Sequence, residues 1–184
     1  MKKLFLSCLV LALCLSGCTV SISALDPEVS APEQPVNSVN CAQNGFEMNL
    51  YSDKSVYKAM DIINIWATLQ YVSDGDEITI WHGDPYMVFS ITDGKDFNMD
   101  GMVEDILTST VLEKDKLYHF DFHKSGGWSA DDPNADFWDR FYQEKDLRLP
   151  VGEYTVTLRG AFSLSMDTWD NSGLVCELAI KVMG

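Results

Sequence analysis

The run Asp96-Phe97-Asn98-Met99-Asp100-Gly101-Met102-Val103-Glu104 places oxygen-bearing side chains at its first, third, fifth and ninth positions and glycine at its sixth. Alternating oxygens let a tight loop wrap a hard cation such as calcium, and the glycine permits a sharp turn. The twelfth position, where such a loop carries a bidentate glutamate, is Leu107, and no helical pattern precedes Asp96. A helix–loop–helix calcium motif is therefore excluded. Asp96, Asn98, Asp100 and Glu104 remain candidate ligands of a degenerate calcium loop, against a hairpin turn of the same composition. A second group, His119, Asp121 and His123, alternates along one segment. Its two histidines stand ~13 Å apart on an extended strand, too far to share one ion unless the strand bends. A solvated polar face accounts for them.

Catalytic signatures are missing from the sequence. It holds no Gly-x-Ser-x-Gly elbow, no His-Glu-x-x-His pair and no glycine-rich phosphate cradle. Thiol catalysis needs an exposed cysteine beside a base. The expectation is a protein that is not an enzyme and needs no cofactor beyond possible Ca2+. Four aromatic residues in loop-like surroundings are the remaining binding candidates: Trp81, Tyr86, Trp128 and Trp169. Gathered at one end of a fold, they would suit a peptide, glycan or protein partner. Folded back singly, each would plug the core.

The cysteines address the chain. Met1-Lys2-Lys3 and the apolar run Leu4 to Leu15 read as a signal peptide, too short to span a bilayer stably. The run ends in Leu15-Ser16-Gly17-Cys18, which resembles the lipobox of bacterial lipoproteins. That resemblance implies cleavage before Cys18 and multiple acylation of its side chain and amine, which stable anchoring by lipid requires. It implies a lipid-anchored protein facing outward from a cell membrane. Cys8 and Cys14 leave with the signal. Cys41 and Cys176 remain, either as a disulfide, which an export compartment permits, or as free thiols with Cys176 buried.

Charge narrows the partners. The whole chain carries a formal charge of −15. Removing residues 1–17 leaves 11 basic against 28 acidic residues, a charge of −17. Nucleic acid wants a basic patch, so it is not an expected partner. Attraction to anionic lipid headgroups is equally disfavoured. High net charge keeps a surface protein dispersed, and a monomer is expected.

Stepping along the chain gives three regions: a signal at 1–17, a lipidated tether at 18–40, and one domain at 41–184. The tether holds Pro27, Pro32 and Pro35 but no aromatic residue. As a flexible coil it would span about 25 Å. The domain alternates with period two. Phe46, Met48 and Leu50 share one face, as do Ile63, Ile65, Ala67, Leu69 and Tyr71. Ile78 and Ile80 follow a Ser73-Asp74-Gly75-Asp76 turn. Met87, Phe89 and Ile91 form another set, separated from Ile80 by a turn expected at Trp81 to Tyr86. Tyr118, Phe120 and Phe122 follow, then Tyr154, Val156, Leu158 and Phe162. Leu174, Cys176, Leu178, Ile180 and Val182 close the chain. This predicts an all-β fold, an antiparallel immunoglobulin-like sandwich of about 7–9 strands. One segment departs from the pattern. Asp132-Pro133 reads as a helix start, and Phe137, Trp138, Phe141 and Tyr142 recur at helical spacing. A short helix across one end of the sandwich is expected. First and last strands running parallel and adjacent would bring Cys41 near the start of the last strand.

The order Ile78-Thr79-Ile80-Trp81-His82, Phe89-Ser90-Ile91-Thr92-Asp93, the aromatic stretch from Phe137 to Phe141, and Leu149-Pro150-Val151-Gly152-Glu153-Tyr154-Thr155-Val156 resembles the BsuPI-like intracellular proteinase inhibitors of Gram-positive bacteria. The resemblance implies an immunoglobulin-like fold and covers about two thirds of the domain. No reactive-site residues carry over, and the export signal departs from an intracellular inhibitor. The leading expectation is a surface lipoprotein with a non-catalytic binding domain. An extracellular proteinase inhibitor and a calcium-dependent surface protein are the alternatives.

Overall fold

A computed structural model of the chain describes residues 37–166 and 172–184. Cys18, the tether up to residue 36, and Trp169 lie outside the described residues. The described chain forms ten strands and one helix. The strands are β1 (Asn37–Gln43), β2 (Phe46–Ser52), β3 (Val56–Lys58), β4 (Ile65–Tyr71), β5 (Glu77–Thr92), β6 (Asn98–Met99), β7 (Glu104–Glu113), β8 (Leu117–Asp121), β9 (Gly152–Ser163) and β10 (Val175–Met183). The helix, α1 (Ala135–Gln143), lies in the long connection between β8 and β9.

Two sheets face each other. One has the order β1-β2-β4-β8. The other runs β3-β10-β9-β5-β6, with β7 also paired to β5. All pairings are antiparallel except β3 with β10. The protein is an all-β sandwich. Alternation explains the layering: Met48, Leu50, Ala67 and Leu69 of one sheet meet Ile80, Val156, Leu158 and Cys176 of the other, all fully buried. Burying a Leu, Ile or Met side chain contributes about 1.5–3 kcal/mol, so this interleaved set dominates the stability of the fold.

Four local expectations are corrected. The tether reading stops short, because β1 begins at Asn37 and not after residue 40. Asn44 and Gly45 both have positive φ and turn β1 into β2, the geometry that an Asn-Gly pair favours in two-residue hairpins. Second, Trp81 to Tyr86 is not a turn between strands but an irregular stretch within the 16-residue β5. The chain cannot reverse there, because both flanks of the irregularity pair with the same strand, β9. Third, α1 starts two residues after the expected Asp132-Pro133 boundary. Asp132 accepts hydrogen bonds from Asn134 N on its side chain (2.7 Å) and from Ala135 N on its carbonyl (3.0 Å). Its side chain thus closes a turn ahead of the helix, and Asn134 takes the cap position. Fourth, β1 and β10 are neither parallel nor in one sheet. Asn37 meets Ala179, Cys41 meets Cys176 and Asn44 meets Ser172, so the strands run antiparallel across the gap between the sheets.

One end of the sandwich is closed by aromatic packing. Phe97, buried, stands with its ring 5.1 Å from Trp138, 5.5 Å from Phe141 and 5.4 Å from Tyr154. The helix is amphipathic, and its buried residues are Trp138 and Phe141. Lys124 Nζ donates to the carbonyls of Phe141 (2.6 Å) and Glu144 (2.7 Å) at the helix C-terminus, where a cation is favoured.

Candidate functional site

A groove opens on the outer face of the second sheet, where β5, the start of β7 and the end of β9 meet. Trp81, Val103, Ile106, Leu107, Ala161 and Met166 are among its lining residues, and its volume is about 290 Å3. Glu104, Asp105 and Arg159 supply its charged groups. Each part has a local cause. Trp81 faces outward because Ile80, its neighbour, points into the core. Its cross-strand partners on either side are Ser109 and Ser163, whose small side chains leave the indole standing above the sheet. Gly83 also lines the groove. A Cβ there would overlap the Glu104 carbonyl and the Val103 side chain, so glycine is what lets β7 approach β5 at this point. The ladder between β5 and β7 shifts register between His82 and Asp84, and the extra residues fall on β7 between Glu104 and Thr108.

His82 borders the groove and is buried. Its Nδ1 lies 2.6 Å from the Gly83 carbonyl and its Nε2 lies 2.8 Å from Thr110 Oγ1. A carbonyl only accepts, so Nδ1 carries a proton, and Nε2 is hydrogen-bonded to the threonine hydroxyl. Tyr86 covers the imidazole at 4.6 Å between ring centroids. Both ring nitrogens are thereby committed within the fold.

The predicted aromatic residues do not form one cluster. Trp81 lines the groove. Tyr86 turns to the other side and packs on Phe120 (5.4 Å) and Phe162 (6.4 Å). Burial there raises its phenol pKa. Trp128 is 40% exposed and sits on a separate loop, whose Ser125 accepts from Met102 N.

The Asp96 loop has a structural use for most of its residues. Asp93 accepts from the amides of Lys95 (2.8 Å) and Phe97 (3.0 Å) and tightens the turn after β5. Phe97 and Met99 point inward and are buried. Asn98 donates to Asp100 at 2.9 Å. Glu104 is held elsewhere, opposite Asp84 in the β5–β7 ladder. Gly101 is required by packing, since a Cβ would overlap Val88 and the Phe89 carbonyl. Among the described residues no three His, Cys, Asp or Glu side chains gather where one ion could be held. Asn98 and Asp100 are the neighbouring oxygen donors that the loop does present. His119 and Asp121 pair at 2.9 Å on the exposed face of β8.

A disulfide joins Cys41 to Cys176, with 5.8 Å between their Cα atoms. Sequence reasoning missed β7, which brings Glu104 to Leu107 to the groove. Its alternation is weak because all but Thr110 and Leu112 of its residues are exposed. Its β-branched run Thr108-Ser109-Thr110-Val111 was the available signal.

No protein-family model and no curated protein matches this chain. A solved structure, the β-glucosidase from Listeria innocua, is similar over 76% of this chain and 16% of that one, at 13% identity and a TM-score of 0.35. Likeness at that level carries no argument about activity. Among the described residues no helix is long and apolar enough to cross a membrane.

Proposed function

We propose that this chain is a membrane-anchored surface lipoprotein whose sandwich binds a peptide or protein partner without catalysis. The Trp81 groove is part of the binding surface. The observation that supports this reading is an open, apolar groove whose one histidine is locked by both nitrogens. Apolar walls with a few charged groups are what a partner side chain needs for burial and orientation. The lipobox-like Leu15 to Cys18 supplies the address, and the acidic composition is consistent with attachment by lipid and not by charge.

The test places a photo-crosslinking amino acid at Met166, in the groove, and at Leu117, an exposed position on β8 in the other sheet. Crosslinks to a discrete partner on intact cells should form from Met166 and not from Leu117. Equal labelling from both positions, or none from Met166, would overturn the groove as a binding surface. Cys18→Ala should release the chain from the membrane fraction or block its processing. Unchanged fractionation with unchanged precursor mass would overturn the anchor. The resemblance to proteinase inhibitors makes a different demand, dose-dependent inhibition of an extracellular serine protease, which this reading does not expect.

A further inference from the structure

β7 pairs with β5 on one side; on the other, Tyr71 of β4 bridges Lys114 just past its end, and among the described residues no strand runs along the edge from Glu104 to Leu112. The ladder is regular from Thr108 to Glu113. At its far end the Glu113 amide donates to the Tyr118 hydroxyl at 2.9 Å, away from β5. Backbone groups alternate in direction along a strand, so the N–H and C=O groups of Val111 and Ser109 point to that same open side. Ile106, Leu107 and Val111 are 51%, 62% and 49% exposed. The stretch from Glu104 to Glu113 has no Lys, Arg, Pro or Gly. Natural sheets guard exposed edges with lysine, proline or a covering element, since an open edge templates another strand. Here the bulge protects only the start of β7, and the regular part stays bare.

Charge selects the occupant. Glu104 and Asp105 lie at the start of β7, beside Asp84 of β5, and Arg159 of β9 lines the groove on the side away from the open edge. At the other end Glu113 is paired with Lys116, and Lys114 follows, so that end is not acidic. The edge therefore has a polarity along its length. A second copy of this chain would bring another formal charge of −15 against it. An extended cationic segment is attracted instead. We infer that β7 accepts an extended segment of a partner protein as an added strand, with Lys or Arg facing Glu104 and Asp105 and apolar side chains beside Leu107 and Val111. This rests on the binding-module reading and names the chemistry of the partner. Main-chain bonds to Ser109 and Val111 would hold the strand, and the flanking side chains would set its register.

The probe is a labelled synthetic peptide of alternating threonine and valine with two lysines at its C-terminus, titrated against the full-length chain in detergent. Saturable binding is expected, weakened by salt. Methylating alternate peptide nitrogens keeps charge and side chains but removes the donors, and should weaken binding by about tenfold or more. Ser109→Pro should do the same from the protein side, because its amide faces the open edge where proline is tolerated. If that variant does not fold, the methylated peptide carries the same test. The pair Glu104→Gln and Asp105→Asn should weaken binding and flatten its salt dependence. Equal binding of the methylated peptide would mean adsorption by charge and overturn the inference, as would no binding at all. So would a dimer of the chain that Ser109→Pro separates, since the occupant would then be a second copy. Failure here with Met166 crosslinks intact leaves the binding module standing; loss of both overturns both.

Discussion

Two sheet edges of this molecule are finished in opposite ways. The β1 edge is tied to β10 at three levels. Asn37 Nδ2 donates to the Ala179 carbonyl at 3.0 Å, Cys41 is bonded to Cys176, and Asn44 Nδ2 donates to the Ser172 carbonyl at 3.0 Å. The β7 edge is closed at its end, where Tyr118 caps Glu113 and Tyr71 bridges Lys114, and among the described residues no strand pairs with it from Glu104 to Leu112. Both strands lie at the margin of a sheet. The difference is where the chain places its cross-links. The closed edge holds the first and last strands of the domain together, so it secures the fold. The open edge lies beside the groove, so it is free to be used.

The largest effect should come from breaking the closed edge. The disulfide spans 135 residues. Constraining a loop of that length stabilises the folded state by about 5 kcal/mol in the chain-entropy account. Replacing Cys41 and Cys176 together by alanine should therefore lower the denaturant midpoint sharply, by an amount that reduced wild type reproduces. The open edge offers the matched control. Leu112→Ala removes a fully buried side chain and should cost about 2–5 kcal/mol. Val111→Ala, one residue earlier and half exposed, should change stability by no more than about 0.5 kcal/mol. Equal costs at the two positions would mean that β7 is covered on both faces, and the contrast between the edges would fail.

Alkaline pH should then loosen the molecule from within. Burial, and for Tyr57 the Asp53 carboxylate 2.6 Å away, raise the phenols of Tyr57, Tyr86, Tyr142 and Tyr154 above the usual range. A group whose folded pKa is raised contributes stability that is intact below its unfolded value, about 10, and lost as pH climbs past it. Thermal unfolding should thus be flat from neutral pH to about 10 and fall above that. Tyr57→Phe should reduce the slope. A modest effect belongs to a single hydrogen bond on the closed edge. Asn37→Ala should cost about 1 kcal/mol, visible as a small drop in Tm that a reduced sample shares.

The fold was legible where one face of a strand is buried and the other wet. β2 and β10 alternate throughout, and β9 does over its first half, because the core lies on one side of each. β7 was illegible for the same physical reason reversed: of its ten residues only Leu112 is buried, so almost no alternation is required. The β5 break misled because Gly83, Asp84 and Pro85 carry turn chemistry, yet both flanks are committed to β9. Asn44-Gly45 was a readable hairpin signal, and it would have placed β1 ahead of Cys41. Trp81 was picked for its residue type without its surroundings, because Val103, Leu107 and Met166 come from segments far apart in sequence. Phe97 sat inside the candidate calcium loop, where spacing drew attention to its oxygen-bearing neighbours and away from its role under the helix.

The central claim is that this sandwich keeps one edge shut and presents the other. Amide hydrogen exchange on the full-length chain reads it directly, with and without the cationic strand peptide. The account predicts fast exchange at Ser109 and Val111, slow exchange at Thr108 and Thr110, and protection of the fast pair when the peptide is added. Slow exchange at Ser109 and Val111 in the free protein, or exchange there that the peptide leaves unchanged, would contradict it.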